Sequence, residues 1–303
     1  MTVAPAQPVA RLGAQRYSKP PPQPGVYIDV PADEYHSWDA LSASCLKQLA
    51  VSALNCRWWM DQSDDGPTMA MYFGTVLHMK LLQPELFDSM AVEVKGFKPG
   101  AIRTTLAKTR AAHPNRLPLA EGWSKSLKIL GGRAKADKET RIALGGESLN
   151  EVAVVWRSQH GLPCKALLDR VKLGDDCNTI VDIKTTARPG DDDFGRTCWD
   201  LGYDIQAAFY LRAHEAAAEF DLRFRKEARF EFVVMQNDAP YDVGAGPPDE
   251  AFLDVGRQRM NELMPWFTHC WANDTWPGVA KGTMRVISLP GWAMARYIDG
   301  GMA

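Results

Sequence analysis

The residues LLDRV at 167–171 and TIVDIKTT at 179–186 decide the fold of this chain. Both runs are short and rich in aliphatic or β-branched residues, which is typical of β-strands. Side chains alternate between the two faces of a strand, so Asp182 and Lys184 point the same way, while the aliphatic residues beside them point into a core. An acid and a lysine on one face form either an ion pair on an edge strand or part of a metal site, for which Asp169 supplies a second carboxylate. The second alternative indicates metal-assisted hydrolysis of a phosphodiester.

The composition of the chain is that of an ordinary globular protein. Its 303 residues are 46% apolar and 24% charged, which is enough for one large domain or two small ones. The formal net charge of −2 gives no global signal for a nucleic-acid partner, so any such partner must bind through a local patch.

The cysteines and the apolar segments exclude several classes of protein. No two cysteines form a C-x-x-C pair, which argues against a zinc ribbon, a redox dithiol and an iron–sulfur cluster. We therefore expect reduced thiols and a cytoplasmic location. The chain contains no run of 18 apolar residues, the length that spanning a membrane requires, and the N-terminus lacks the apolar core of a signal peptide. The cysteines are Cys45, Cys56, Cys164, Cys177, Cys198 and Cys270.

Periodicity and turn residues divide the chain into a short leader and one domain. Six prolines predict a disordered leader over residues 1–25, followed by a single domain at 26–297 and a tail at 298–303. Alternation predicts strands at 151–157, 163–171, 179–185 and 229–236. Helical spacing predicts helices that begin at Ser42 or Ser44, span 69–82 before Pro84, and cover about 201–218 and 249–273. This order predicts an α/β (α+β) fold in which helices flank a central mixed sheet.

Residues 95–142 form a basic block that the small net charge hides. They hold twelve lysines or arginines and only three acids, and we expect a basic helical insertion there. The block either lines a DNA channel or is a solvated, partly disordered insertion. Trp58, Trp59 and Trp123 either stack on an unpaired DNA end or belong to the core.

Further residues could complete a site around Asp182. Gln206 and Tyr210 lie four apart on a predicted helix, so they share a face that either touches a phosphate or base or is plain helix surface. His78 lies in an apolar helix and is either a metal ligand or a buried core histidine. Glu151, which opens the first strand, is either a further acid near the metal or a solvated strand end.

Taken together, these residues resemble the PD-(D/E)xK nuclease superfamily. The closer resemblance is to the RecB-like branch, and within it to the exonuclease VIII (RecE-type) family of phage and prophage recombination nucleases. It covers roughly residues 26–297 and keeps the order of the family's elements. Those elements are Gly74-Thr75-x-x-His78, Glu151, Gly161-Leu162-x-Cys164-Lys165-x-x-x-Asp169-Arg170, Asp182-Ile183-Lys184-Thr185-Thr186, Gln206-x-x-x-Tyr210, Trp276-Pro277-Gly278 and Leu289-Pro290-x-Trp292-Ala293.

The resemblance implies a role for each candidate residue and a Mg²⁺ cofactor, for which Mn²⁺ could substitute. The implied metal ligands are His78, Asp169, Asp182 and the backbone carbonyl of Ile183. The implied catalytic residues are Asp169, Asp182, Lys184, Gln206, Tyr210 and Glu151. Relatives that carry an iron–sulfur cluster use four cysteines that this chain does not supply.

The resemblance also implies an activity and partners. Members of the exonuclease VIII family digest linear duplex DNA from the 5′ end and leave 3′ single strands for an annealing protein. Some of them form ring-shaped tetramers. Two other functions stay open, because a fold alone does not fix a substrate. One is a structure-specific or single-strand nuclease of the same fold, as in CRISPR-adaptation nucleases. The other is a catalytically silent DNA-binding protein, against which the intact Asp169, Asp182 and Lys184 argue.

Overall fold

The computed structural model describes residues 17–62, 67–97, 102–113 and 115–279. The strands are β1 (Gly25–Tyr27), β2 (Ala91–Glu93), β3 (Leu117–Leu119), β4 (Ser148–Arg157), β5 (Pro163–Lys172), β6 (Asn178–Thr186), β7 (Ala228–Gln236) and β8 (Val243–Gly246). The helices are α1 (Ala32–Ser37), α2 (Ala43–Val51), α3 (Ala53–Asp61), α4 (Met69–Leu82), α5 (Pro84–Met90), α6 (Ile102–Ala112), α7 (Trp123–Ala136), α8 (Lys138–Leu144), α9 (Asp191–Asp200), α10 (Tyr203–Ala217) and α11 (Glu250–Asn273).

Among the described residues, six strands form one mixed sheet in the order β1-β4-β5-β6-β7-β8. Strands β6 and β7 run parallel, and the other neighbours in this sheet are antiparallel. Parallel neighbours need a long crossover connection, which α9 and α10 provide between β6 and β7. The central mixed sheet flanked by helices confirms the predicted fold class.

Helices cover both faces of the sheet, and β6 contributes to an apolar core on each side. Ile180 packs with residues of α2, α3, α10 and α11, whereas Val181 and Ile183 pack with residues of α4 and α7. The predicted alternation of β6 is therefore confirmed. It places Asp182 and Lys184 on the face that α10 covers.

The helices begin where local chemistry allows. Thr68 accepts a hydrogen bond from a backbone N–H in the first turn of α4, and Pro84 occupies the first turn of the next helix. Asp249 caps α11 in the same way. Helix α10 begins at Tyr203 rather than at residue 201, because Gly202 adopts a left-handed backbone with a φ of 64°. The predicted helix at 69–82 matches α4, and α11 begins one residue later than expected.

Residues before the predicted boundary near residue 26 already pack against the domain. Tyr17 is buried, and its hydroxyl lies 3.0 Å from Cys45 Sγ. The backbone of Lys19 exchanges hydrogen bonds with Ser37 and Asp39. A disordered leader is therefore wrong for residues 17–25, because a buried aromatic side chain anchors this segment. Residues 1–16 and 280–303, which hold the rest of the leader, the tail and the motif at 289–293, lie outside the described residues.

The described part of the basic block is a layer of the fold rather than a solvated insertion. Leu127 and Leu130 of α7 pack in the core that also contains the aliphatic residues of β6. Trp123 packs against this same core. Lys125 and Lys128 lie on the exposed face of α7. Apolar spacing inside the block thus outweighs its charge in deciding how it folds.

No helix in the described residues combines the length and the apolar character that crossing a membrane requires.

Candidate active site

Strands β5 and β6 stop pairing at the point where each carries its acid. Their last paired residues on this side are Arg170 and Val181, so Asp169 and Asp182 would form the next pair. Instead, the Asp169 carboxylate accepts a hydrogen bond of 2.9 Å from the backbone N–H of Ile183. A side chain thus takes the place of a backbone ladder bond, and the two strands separate around the acids.

The acid and the lysine of β6 form a buried ion pair. Lys184 Nζ lies 2.5 Å from Asp182 Oδ2, and the exposed fractions of the two side chains are 12% and 1%. The alternative of a surface pair on an edge strand is therefore excluded, since β6 lies inside the sheet. Lys184 Nζ also lies 4.6 Å from the centre of the Tyr203 ring.

Burial and charge shift the pKa of both members of this pair. Burial raises the pKa of Asp182, and the charge of Asp169 adds to that effect, while Lys184 opposes it. Burial alone would lower the pKa of Lys184, but the nearby carboxylates of Asp182 and Asp169 outweigh it and raise that pKa. The lysine is therefore held as a cation in a nearly dry environment, where charge interacts strongly with a phosphate.

A chain of hydrogen bonds fixes the other oxygen of Asp182. The amide nitrogen of Gln206 donates to Asp182 Oδ1 at 3.1 Å, and Lys47 Nζ donates to the amide oxygen of Gln206 at 3.0 Å. Only one orientation of the Gln206 amide allows both of these hydrogen bonds. Tyr210 is neutral, because burial, and then Asp182, raise the pKa of its phenol well above the ordinary value. The predicted face of Gln206 and Tyr210 thus lies against the acid.

Lys47 and Tyr203 are residues that the sequence reasoning missed. Lys47 projects from α2, and burial together with Lys184 lowers its pKa to about 8. Its contact with Gln206 joins residues 159 positions apart in the sequence. A lone lysine on a short helix gives no periodic signal of such a contact, and the packing of α2 on α10 alone reveals it.

His78 reaches the same place from α4, on the opposite side of the sheet. Its Nε2 donates to the Ile183 carbonyl at 3.0 Å, and its Nδ1 lies 3.6 Å from the Asp169 carboxylate. One turn earlier, a Cβ built on Gly74 would already touch Thr185 Oγ1 at 3.5 Å. A small residue there lets α4 approach β6 closely enough for the imidazole to reach the backbone.

Glu151 lies in the strand position that faces Asp169. The pairs Asn150–Arg170 and Val152–Leu168 flank it, but Glu151 itself is unpaired and has a left-handed φ of 49°. Burial, and then the charge of Asp169, raise its pKa to about 8. A left-handed backbone at a non-glycine residue, together with a carboxyl whose pKa is raised, is typical of functional sites.

The donor set fits a hard divalent cation. Carboxylates, a carbonyl and an imidazole meet around Ile183. Burial, and then the charge of Asp169, raise the pKa of Glu151, and a cation relieves that second effect. Within the described residues, the buried Asp182 Oδ2 has no hydrogen bond of good geometry, although Lys184 lies beside it. No three His, Cys, Asp or Glu side chains in that part of the chain are already arranged as a metal-binding cluster. The predicted ligands His78, Asp169, Asp182 and Ile183 lie close together, and their role as a ligand set stays a prediction.

The divided strands, the buried acid–lysine pair and the helices on both faces define the PD-(D/E)xK class of nuclease folds. The chain belongs to the DUF3799 family, described as a PDDEXK-like domain of unknown function, whose sequence model matches residues 42–285. This membership confirms the superfamily that the sequence motifs predicted, whereas the exonuclease VIII family stays a prediction.

The fold also has solved counterparts. A crystal structure described as a "Putative exonuclease" from Eubacterium rectale has a TM-score of 0.57 and 15% sequence identity, and covers 89% of this chain and 98% of its own. At that identity the similarity concerns the fold alone. The crystal structure of SSO0001, with 14% identity, covers 61% of this chain and 84% of its own, and its TM-score of 0.25 is too low to carry an argument. A comparison with curated protein sequences found no match.

Proposed function

We propose that this protein is a metal-dependent deoxyribonuclease that hydrolyses phosphodiester bonds at the ends of linear double-stranded DNA. The observation that carries the proposal is the buried Asp182–Lys184 pair, fixed by Gln206 and placed beside Asp169 where two strands separate. A buried ion pair gives little net stability by comparison with apolar packing, so stability alone does not account for this pair and a chemical role is favoured.

The residues of the chain have distinct tasks in this proposal. Lys184 donates to a non-bridging oxygen of the phosphate and stabilises the charge that develops in the transition state. Gln206 keeps Asp182 in one orientation, and Lys47 keeps the amide of Gln206 in place. The neutral phenol of Tyr210 can donate a hydrogen bond but cannot act as a base.

A cation is part of the proposal. Mg²⁺ or Mn²⁺, held by His78, Asp169, Asp182 and the Ile183 carbonyl, would lower the pKa of a bound water and neutralise negative charge on the phosphate. The pKa of about 8 at Glu151 means that this carboxyl keeps its proton at neutral pH unless positive charge is close. Glu151 would therefore release its proton when the cation binds.

The finer features of the activity follow from the resemblance to the exonuclease VIII family. They are 5′→3′ polarity, a 3′ single-stranded product, an annealing protein as partner in recombination, assembly into a ring tetramer and a cytoplasmic location. The exposed lysines of α7 offer a surface for the DNA backbone.

One assay tests the proposal against its rivals. The purified protein is incubated with 5′-labelled and 3′-labelled linear duplex, a closed circle and single strands, each with Mg²⁺ and with EDTA. Metal-dependent loss of the linear duplex with the circle intact supports the exonuclease. Cleavage of single strands alone would replace it by a single-strand nuclease. Binding without any cleavage would establish a silent DNA-binding protein.

A further inference from the structure

A groove of about 890 Å³ opens beside the acid–lysine pair, between α2, α3, α4, α9, α10 and α11. Its rim is unusually apolar. Trp58 and Trp199 expose 59% and 58% of their surfaces, and Val51, Met71 and Leu201 are each more than half exposed. Large apolar side chains that cluster in one exposed place mark a binding surface.

The groove is continuous with the proposed catalytic centre. Lys47 and Tyr203 both line it. Lys47 donates to Gln206, and the Tyr203 ring lies under the ammonium group of Lys184. A ligand in the groove would therefore be separated from Lys184 only by the side chain of Tyr203 or Lys47.

The charges in the groove suit bases better than a duplex backbone. Its charged lining consists of Lys47, Asp200 and Arg259, and Arg259 is already held by two hydrogen bonds to the buried Asp204. A double helix presents dense phosphate charge and hides its bases, so it needs more cations than this groove offers. An unpaired strand exposes its bases, which stack on aromatic rings irrespective of sequence.

The rings are also held for stacking. The Arg259 guanidinium lies 4.3 Å from the centre of the Trp199 ring, so the bond to Asp204 indirectly fixes this indole while most of its surface stays accessible. A ring that is already positioned loses little conformational freedom when a base stacks on it.

We propose that the groove binds a single unpaired DNA strand, with bases stacked on Trp58 and Trp199 and the phosphodiester directed toward Lys184. This inference rests on the proposed nuclease function and names the form in which DNA reaches the site. The two tryptophans are binding residues, since neither contacts the acid–lysine pair.

The test measures binding of the full chain with Ca²⁺ in place of Mg²⁺, so that binding can be followed without the catalytic cation. The probes are a fluorescent 15-nucleotide oligo(dT), an abasic strand of the same length and charge, and a blunt duplex. The variants are Trp58→Ala, Trp199→Ala and Trp58→Phe, with Phe220→Ala as the control for loss of an exposed aromatic ring elsewhere. Circular dichroism verifies that each variant is folded.

The expected result is that oligo(dT) binds wild-type protein at least about tenfold more tightly than the abasic strand. Each alanine variant should weaken oligo(dT) binding about tenfold and change abasic binding little, whereas Trp58→Phe and Phe220→Ala stay near wild type. Equal affinity for the two strands, or unchanged binding by both alanine variants, would overturn the proposal. The proposal would also be overturned if the wild-type protein ran as a dimer on a sizing column and the alanine variants ran as monomers. The groove would then be a contact between copies of the chain.

The failure of this inference can be told apart from failure of the nuclease function. Tryptophan-dependent binding of oligo(dT) by a protein that cleaves nothing would retain the groove and reject the nuclease. Metal-dependent cleavage with no loss of strand binding in the tryptophan variants would retain the nuclease and reject the groove.

Discussion

Two lysines on adjacent strands of the sheet are buried in opposite ways. Lys165 of β5 donates to three backbone carbonyls at the end of α1, at 2.7 to 3.2 Å, and lies 4.8 Å from the centre of the Tyr17 ring. Lys184 of β6 instead faces the carboxylate of Asp182 and the ring of Tyr203, a residue that lines the open groove. The ammonium group of Lys165 donates its hydrogen bonds to the backbone, whereas that of Lys184 keeps donors available for a ligand.

The partners of the two lysines, rather than their burial, distinguish a structural lysine from a proposed catalytic one. Carbonyls at a helix end need donors, and a cation there is also favoured by the helix dipole. A carboxylate beside other carboxylates can bind a second cation or a substrate. The mutations below should therefore affect stability at one lysine and activity at the other.

Replacement of Lys184, the proposed catalytic lysine, should have the largest effect. Lys184→Gln should lower kcat by about 10²- to 10³-fold, because one donor aimed at developing phosphate charge is lost from a dry site. The fold should persist, since Asp182 can accept a proton once its partner is gone. Single-turnover cleavage of labelled linear duplex measures the effect, and a decrease of less than threefold would place the reaction elsewhere.

Replacement of the structural lysine should have the converse effect. Lys165→Met keeps the length of the side chain but removes three hydrogen bonds from a buried cation to backbone carbonyls, which should lower the free energy of unfolding by about 3 kcal/mol. Urea denaturation measures this loss. Activity per folded molecule should change less than threefold at low temperature, and a large specific loss of kcat would remove the distinction between the two lysines.

The Asp182–Lys184 pair can also be weakened indirectly, through the hydrogen bond from Lys47 to Gln206. Lys47→Met removes the donor to Gln206 and should lower kcat about tenfold with little change in KM, because it acts by positioning Asp182. A positioning role also predicts that Lys47→Arg, which retains a donor, recovers part of the activity. Equal losses in both variants would indicate a simple packing defect.

A further prediction concerns pH and Glu151. Its folded pKa of about 8 lies above the ordinary value of 4.5, so the folded protein binds more protons than the unfolded chain between those values. Stability without metal should therefore fall as pH rises from 5 to 8, by at most about 1.4 kcal/mol per unit. Urea denaturation in EDTA should show that Glu151→Gln reduces this slope, while the raised pKa of Asp182 leaves part of it in place. An identical slope in the variant would assign it to other groups.

Regular periodicity explains which parts of the molecule the sequence predicts. The alternation along β6 correctly places Asp182 and Lys184 on one face and the aliphatic residues in a core. The four-residue spacing correctly places Gln206 against Asp182. These features depend on neighbours within a few positions of one another.

Contacts between distant segments explain what the sequence does not predict. Three such features depend on tertiary packing. They are the hydrogen bond from Lys47 to Gln206, the burial of Lys165 under α1 and the burial of Tyr17. The left-handed backbone of Glu151 is likewise invisible to propensity, which disfavours that conformation for a glutamate. The count of charges in residues 95–142 also gave no sign that apolar residues of this block pack into a core.

The most direct test of the acid–lysine site is the rate of Mg²⁺-dependent cleavage of linear duplex DNA by Asp182→Asn. The substitution keeps the size of the side chain and its contact with Gln206, but removes the charge that holds both Lys184 and a cation. We predict a loss of at least about 100-fold with unchanged circular dichroism and little change in DNA binding. A rate within threefold of wild type would contradict the assignment of this pair as the active site.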